Sequence, residues 1–163
     1  MGIILSSFPG CGKEYFKNTY GNKVKTIDLT GEYGEDSDYG DFANRVLSVV
    51  DQYDIVFVGA TASVINALNE RNIDHDVFYP SASRRKEFLE NWVRKHEKPD
   101  TIRKYDQAFD KMVSFIDDID TPTCYKHKLE GFGEFIGNSP IIMQYVTSIQ
   151  EKGKQEKINK TNE

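Results

Sequence analysis

The sequence predicts an α/β fold built on a mainly parallel sheet, and three features predict it. Short, unbroken apolar runs such as Ile3-Ile4-Leu5 and Ile55-Val56-Phe57-Val58 suit strands buried on both faces. Segments with helical apolar spacing lie between those runs. The strand-then-helix alternation repeats along the chain, which places helices on both faces of one sheet. A length of 163 residues supports one domain with a sizeable core, and 38% apolar with 12% aromatic residues exceeds what a disordered chain carries.

Taken in order, a first strand is expected over 2–6, followed by a loop at 7–12 punctuated by Pro9, Gly10 and Gly12. A helix over 13–20 and a strand over 24–29 come next. A polar loop spans 30–40, and a helix over 41–52 carries Phe42, Val46, Val49 and Val50 on one face. The strand at 53–59 has the strongest apolar signal. Thr61 then caps a helix bearing Val64, Ile65 and Leu68, and Asn72 ends it. A strand over 73–79 is closed by Pro80. The helical stretch 83–119 is divided by Pro99, which suits the first turn of the second piece. A last strand is expected over 124–129, and Ser139-Pro140 opens a final helix to about 149. The charged, aperiodic residues 151–163 are expected to form a disordered tail beyond a domain at 1–150.

Charge narrows the function. The 21 Lys+Arg against 26 Asp+Glu leave a net charge of -5, which argues against a general nucleic-acid binder but not against a small anion in a local basic pocket. No apolar run approaches the roughly 18 residues of a membrane span, so no membrane partner is expected. The amino terminus lacks the basic flank of a secretory signal. Two cysteines, Cys11 and Cys124, are too few for a disulfide framework or a zinc site. A cytoplasmic protein is expected.

The segment Ser6-Ser7-Phe8-Pro9-Gly10-Cys11-Gly12-Lys13-Glu14 lies between the first strand and the first helix. Backbone N–H groups of such a loop can face a phosphate chain, and a helix N-terminus adds partial positive charge. Glycines allow close approach, and a lysine reaches the outer phosphates. Gly10, Gly12 and Lys13 meet those needs. Against the pattern G-x-x-x-x-G-K-[ST], Ser7 replaces the first glycine and Glu14 replaces the hydroxyl that binds magnesium. A carboxylate about 5 Å from a phosphate charge costs about 3 kcal/mol at an effective dielectric of about 20. Three outcomes are open for Glu14: it turns outward and leaves nucleotide binding intact, it holds magnesium directly or through water, or nucleotide binding is lost.

The blocks SSFPGCGKEYF, DLTGE, YDIVFVGA, ALNERNIDHDVFYPS and RRKEFLENWVRK resemble small phage-encoded P-loop nucleotide kinases of the adenylate kinase and deoxynucleoside monophosphate kinase group. The resemblance covers about 1–119. It implies a P-loop NTPase-type three-layer sandwich with a helical lid, here about 81–104. It also implies ATP as donor, Mg2+, a nucleoside or deoxynucleoside monophosphate as acceptor, and the host cytoplasm as location. Carried over by position, Ser7, Pro9, Gly10, Cys11, Gly12, Lys13 and Glu14 form the donor loop, with Lys13 catalytic. Asp28 lies near the acceptor or the metal, and Glu14 is a second metal candidate. Arg84 and Arg94 are expected to act on the transferring phosphoryl, and Arg85 and Lys95 to bind substrate.

Charge supports the lid independently. Between Arg84 and Lys104 there are eight Lys/Arg and four acids, net +4 in an acidic chain. Phosphoryl transfer needs cations around the moving group, and arginine suits it through its planar fork. Arg84 and Arg94 are ten residues apart, near three helical turns, so a shared face is expected. The stretch 28–41 holds six acids and no base, and a strand C-terminal end singles out Asp28 among them. No acid follows the third strand, where Gly59-Ala60-Thr61 stands. Cys11 and Trp92 are expected to pack. Gly131-Phe132-Gly133 reads as a turn. The alternative to a kinase is a nucleotide- or protein-binding module, impaired in catalysis, that acts on a host factor; Glu14 and the missing strand-end acid favour it.

Overall fold

A computed structural model describes residues 2–33 and 38–162. Five parallel strands form one sheet in the order β2-β3-β1-β4-β5. They are β1 (Ile3–Ser7), β2 (Thr26–Asp28), β3 (Ile55–Gly59), β4 (His75–Pro80) and β5 (Cys124–Leu129). The helices are α1 (Lys13–Tyr20), α2 (Tyr39–Val49), α3 (Ala62–Glu70), α4 (Arg85–Arg94), α5 (Pro99–Asp117) and α6 (Pro140–Thr161). The expected α/β class, the largely parallel sheet and the helices on both faces are all present. Among the described residues no helix is long and apolar enough to cross a membrane.

The strand order follows from burial. Residues Ile55 to Val58 of β3 are fully buried, as a central parallel strand requires. The edges are short or charged. β2 has three residues where six were expected, and β5 exposes Lys126 and Lys128 on an otherwise open edge. One core joins Leu5, Phe57 and Phe78 to Phe16 of α1, Phe88 and Trp92 of α4, Phe109 of α5 and Ile142 of α6. The opposite core joins Ile4, Val56 and Val58 to Phe42 and Val46 of α2 and Val64 and Leu68 of α3.

Helix boundaries have local causes. The Asp38 side chain accepts from the Gly40 and Asp41 amides, so α2 starts two residues earlier than the apolar pattern suggests. Thr61 caps α3 by accepting from Val64 N, as expected. Pro99 opens α5, as expected. Two expectations change. The stretch 83–98 starts with a 3-10 turn at Ala82–Arg84, so Arg84 precedes α4 rather than lying on its face. The tail expected to be disordered is helical through Thr161. Residues 151–161 hold no proline and are rich in Lys, Glu and Gln, which sustain a helix once the packed turns of α6 have nucleated it.

Topology positions the site. The connection after β1 leads toward the β2 edge, and the one after β4 leads toward the β5 edge. The two strands are neighbours, so their connections part at their carboxyl ends, where open α/β sheets bind ligands. The loop at 8–12 emerges there.

Candidate functional site

The loop after β1 is built from its own backbone outward. Phe8 N donates to Phe78 O of β4 at 3.0 Å, and Cys11 N donates to Phe8 O at 3.1 Å, which closes a tight turn. The Phe8 ring is buried against Phe88 and Phe109. Cys11 is wholly buried with its thiol toward Phe78 O at 3.7 Å. Burial pushes that thiol far above its ordinary range, the Arg84 charge opposing only in part. Cys11 therefore packs, as expected, and gives the site only its backbone.

Gly10 and Gly12 have φ of +87° and +93°, which side-chain-bearing residues rarely adopt. A Cβ on Gly10 would lie 2.7 Å from Trp92 Nε1, and one on Gly12 would lie 3.2 Å from Phe135 Cβ. The loop is thus pressed between two aromatic side chains. Helical bonding begins with Phe16 N donating to Gly12 O at 3.0 Å. The amides of Gly10, Gly12, Lys13, Glu14 and Tyr15 meet no acceptor among the described residues. Trp92 Nε1 and Ser6 Oγ, both buried beside the loop, also have no partner there.

The Lys13 ammonium lies 3.0 Å from Asp28 Oδ2, with each side chain 20% exposed. Lys17 approaches the same oxygen at 3.4 Å, and Thr30 N donates to Oδ1 at 2.9 Å. Burial raises the Asp28 carboxyl, but the Thr30 hydrogen bonds and Lys13 outweigh it and hold the group below its ordinary value. Asp28 ends β2, and β3 separates that strand from β1. Gly59 ends β3 in register with Ser7, and no atom of the described residues beyond its chain neighbours lies within 4 Å of where its Cβ would be. Lys13 and Asp28 therefore meet beside open space at the carboxyl end of β3. Ser7 donates its hydroxyl to Phe8 O at 3.4 Å.

Glu14 has turned outward. Its side chain is 69% exposed and sits 3.7 Å from Lys17, which stands between it and Asp28. Among the described residues no three acidic, histidine or cysteine side chains gather as a metal group would need. Asp28 has two ammonium groups on one oxygen and an amide on the other. Asp28 and Glu14 thus do not fit a resident magnesium ion, which takes oxygen donors in octahedral geometry. Of the acidic stretch, Glu35 and Asp36 lie outside the described residues, and Glu32 pairs with Arg45 at 3.6 Å.

The basic segment divides. Arg84 is 4% exposed and bound on every side, so it is not available to a phosphoryl group, and it shares no face with Arg94. Arg85 bridges to α5 through Asp106 at 3.0 Å and Asp110 at 2.9 Å. A sequence shows the charge of an arginine but not the carboxylates the fold brings to it. Arg94 and Lys95, at the end of α4, are exposed and form no ion pair among the described residues. Phe88 and Trp92 anchor α4 in the core, so movement of the whole 81–104 segment as a lid would uncover both rings.

One wall of the site carries no motif. Ile136 N donates to Cys11 O at 2.9 Å, Phe135 faces Gly12, and Gly137 sits against the Tyr15 ring. The turn expected at Gly131-Phe132-Gly133 leads into this wall, and Phe132 at its tip is 90% exposed. Apart from the glycines, no local signal marks the segment. Two clefts lie elsewhere: about 260 Å³ between α2 and α3, and about 490 Å³ beside Lys25, Tyr53 and Tyr145. Comparison of the chain with protein-family models and with curated proteins finds no match.

Proposed function

We propose that this chain binds a nucleoside triphosphate through the loop at 10–15 and transfers its γ-phosphoryl to a nucleoside or deoxynucleoside monophosphate. The observation that carries the reading is the run of unpartnered amides at Gly10, Gly12, Lys13, Glu14 and Tyr15, next to the Lys13 ammonium and at the carboxyl end of the sheet. Those amides would receive phosphate oxygens. Lys13, steered by Asp28, would neutralise charge on the outer phosphates. Arg94 and Lys95 are among the exposed cations of the basic segment that form no ion pair among the described residues, and they would face the transferring group. A metal ion entering on the nucleotide is part of the substrate, and no protein cage is required for it. Phosphoryl transfer rests on positioning and charge, so it needs no histidine dyad. ATP as donor is what the resemblance of the sequence blocks to P-loop nucleotide kinases implies.

A second reading is a nucleotide-binding module without turnover. The outward Glu14 and the absence of an acid at Gly59-Ala60-Thr61 favour it. One experiment separates the two. Purified protein is mixed with Mg-ATP and a panel of nucleoside and deoxynucleoside monophosphates, and ADP formation is followed. Turnover abolished by Lys13→Met supports the kinase reading. ATP binding without turnover, with turnover gained in Glu14→Ser, supports the second. Absence of ATP binding refutes both.

A further inference from the structure

Arg84 has more polar contacts than a surface charge needs. Nε and Nη2 donate to the two oxygens of Glu87 at 2.8 and 2.7 Å. Nη1 donates to Leu129 O at 3.1 Å and Glu134 O at 2.6 Å. The rings of Phe88 and Phe135 each lie 5.1 Å from its Cζ, one on α4 and one beyond β5. Glu87 also accepts from Gly133 N at 3.1 Å. Asn138 closes the same segment, accepting from Phe135 N at 2.7 Å and donating to Gly133 O at 2.9 Å.

The chain of contacts continues into the loop. Phe135 lies against Gly12, and Ile136 N holds Cys11 O at 2.9 Å. On the other side, Trp92 of α4 lies against Gly10. Arg84 therefore ties together the two walls between which residues 10–12 sit. Its charge is paired with Glu87, and it reaches the loop through hydrogen bonds and ring contacts with the two walls.

We propose that Arg84 is a positioning residue: it sets the spacing between α4 and the 129–136 segment, and so keeps the amides of Gly10, Gly12, Lys13, Glu14 and Tyr15 unpaired and presented to phosphate. The claim about ligand rests on the function proposed above. The claim about loop shape does not.

The test separates shape from stability. Removing one member of a buried ion pair strands the other, whereas replacing both often leaves stability intact. Arg84→Met alone should lower the melting temperature, and Arg84→Met with Glu87→Gln should restore most of it. A purely structural role predicts that loop behaviour returns with stability. The proposal predicts that it does not. In a Cys124→Ser background, Cys11 should react with a thiol reagent at least tenfold faster in the folded double variant than in the parent. ATP and inorganic pyrophosphate should bind at least tenfold more weakly, read from the emission of Trp92, the single tryptophan. Arg84→Lys keeps the charge without the fork, serves if the double variant does not fold, and should expose Cys11 in the same way. Unchanged Cys11 protection in a folded variant, or undiminished ATP affinity once Cys11 is exposed, overturns the proposal. Exposure of Cys11 in a chain whose parent binds neither ATP nor pyrophosphate upholds the loop-shaping role and refutes the phosphate reading.

Discussion

Replacing Gly10 by alanine tests the way the loop is held. Two costs add at this position. The φ of +87° places an L side chain in a disfavoured region, at about 1–2 kcal/mol. The new Cβ would also sit 2.7 Å from Trp92 Nε1, and the indole cannot withdraw freely. Phe88, Tyr105 and Phe109 pack around it, with ring centroids at 6.1, 5.4 and 6.5 Å. Overpacking of this kind costs about 1–3 kcal/mol. The sum is about 2–5 kcal/mol, which for a chain of this size lowers the melting temperature by roughly 5–15 °C. Two other glycines isolate the terms. Gly31 has φ of +86° with no described residue within 4 Å of its Cβ position, so Gly31→Ala carries the backbone cost alone. Gly59 has neither cost, and Gly59→Ala should stay within about 0.5 kcal/mol of the parent. Thermal unfolding followed by circular dichroism and by Trp92 emission measures all three. If Gly10→Ala is no more costly than Gly31→Ala, the contact between Trp92 and the loop is wrong, and the two-wall description of the site falls with it.

Gly59→Ala, though neutral for stability, fills open space between the loop and Asp28; ATP affinity by equilibrium titration should fall severalfold, and unchanged affinity would move the ligand away from β3. His75 is 1% exposed, its Nε2 lies 2.7 Å from Asn69 Oδ1, and burial lowers its pKa from 6.5 to about 4, the nearby Asp76 and Asp74 opposing. Between those values the unfolded chain takes up a proton that the native one does not, so stability falls as pH drops below about 6.5, by about 1.4 kcal/mol per pH unit and about 3 kcal/mol in all. Asp28, Glu87 and Asp117 are held below the ordinary carboxylate range and lose their contribution only at lower pH. Urea unfolding between pH 4.5 and 6.5 should therefore show a slope that His75→Gln flattens; equal slopes would contradict the neutral buried imidazole. Truncation after Gln150 removes mostly exposed residues of α6 and should change stability by less than about 1 kcal/mol in a thermal melt; a larger loss would show that the extension packs on the domain.

Much of this molecule is local. The Ile55-Val56-Phe57-Val58 run, the Thr61 cap and Pro99 at the head of α5 each act through neighbours in the chain, so composition and spacing determine them. The same holds for the glycines of the loop, whose backbone freedom is a property of the residue itself. The fate of the arginines is not local. Arg84 became a buried strut because β5 and the segment after it supply Leu129 O and Glu134 O, 45 and 50 residues away. Arg85 was taken by acids on the next helix, and Lys13 found Asp28 across the end of β3. The sequence alone determined an α/β chain with a glycine-rich turn after its first strand. Only the tertiary structure decided which cations stay free, and that Phe135 and Trp92 enclose the turn, because ion pairing and packing depend on distances that chain order does not specify.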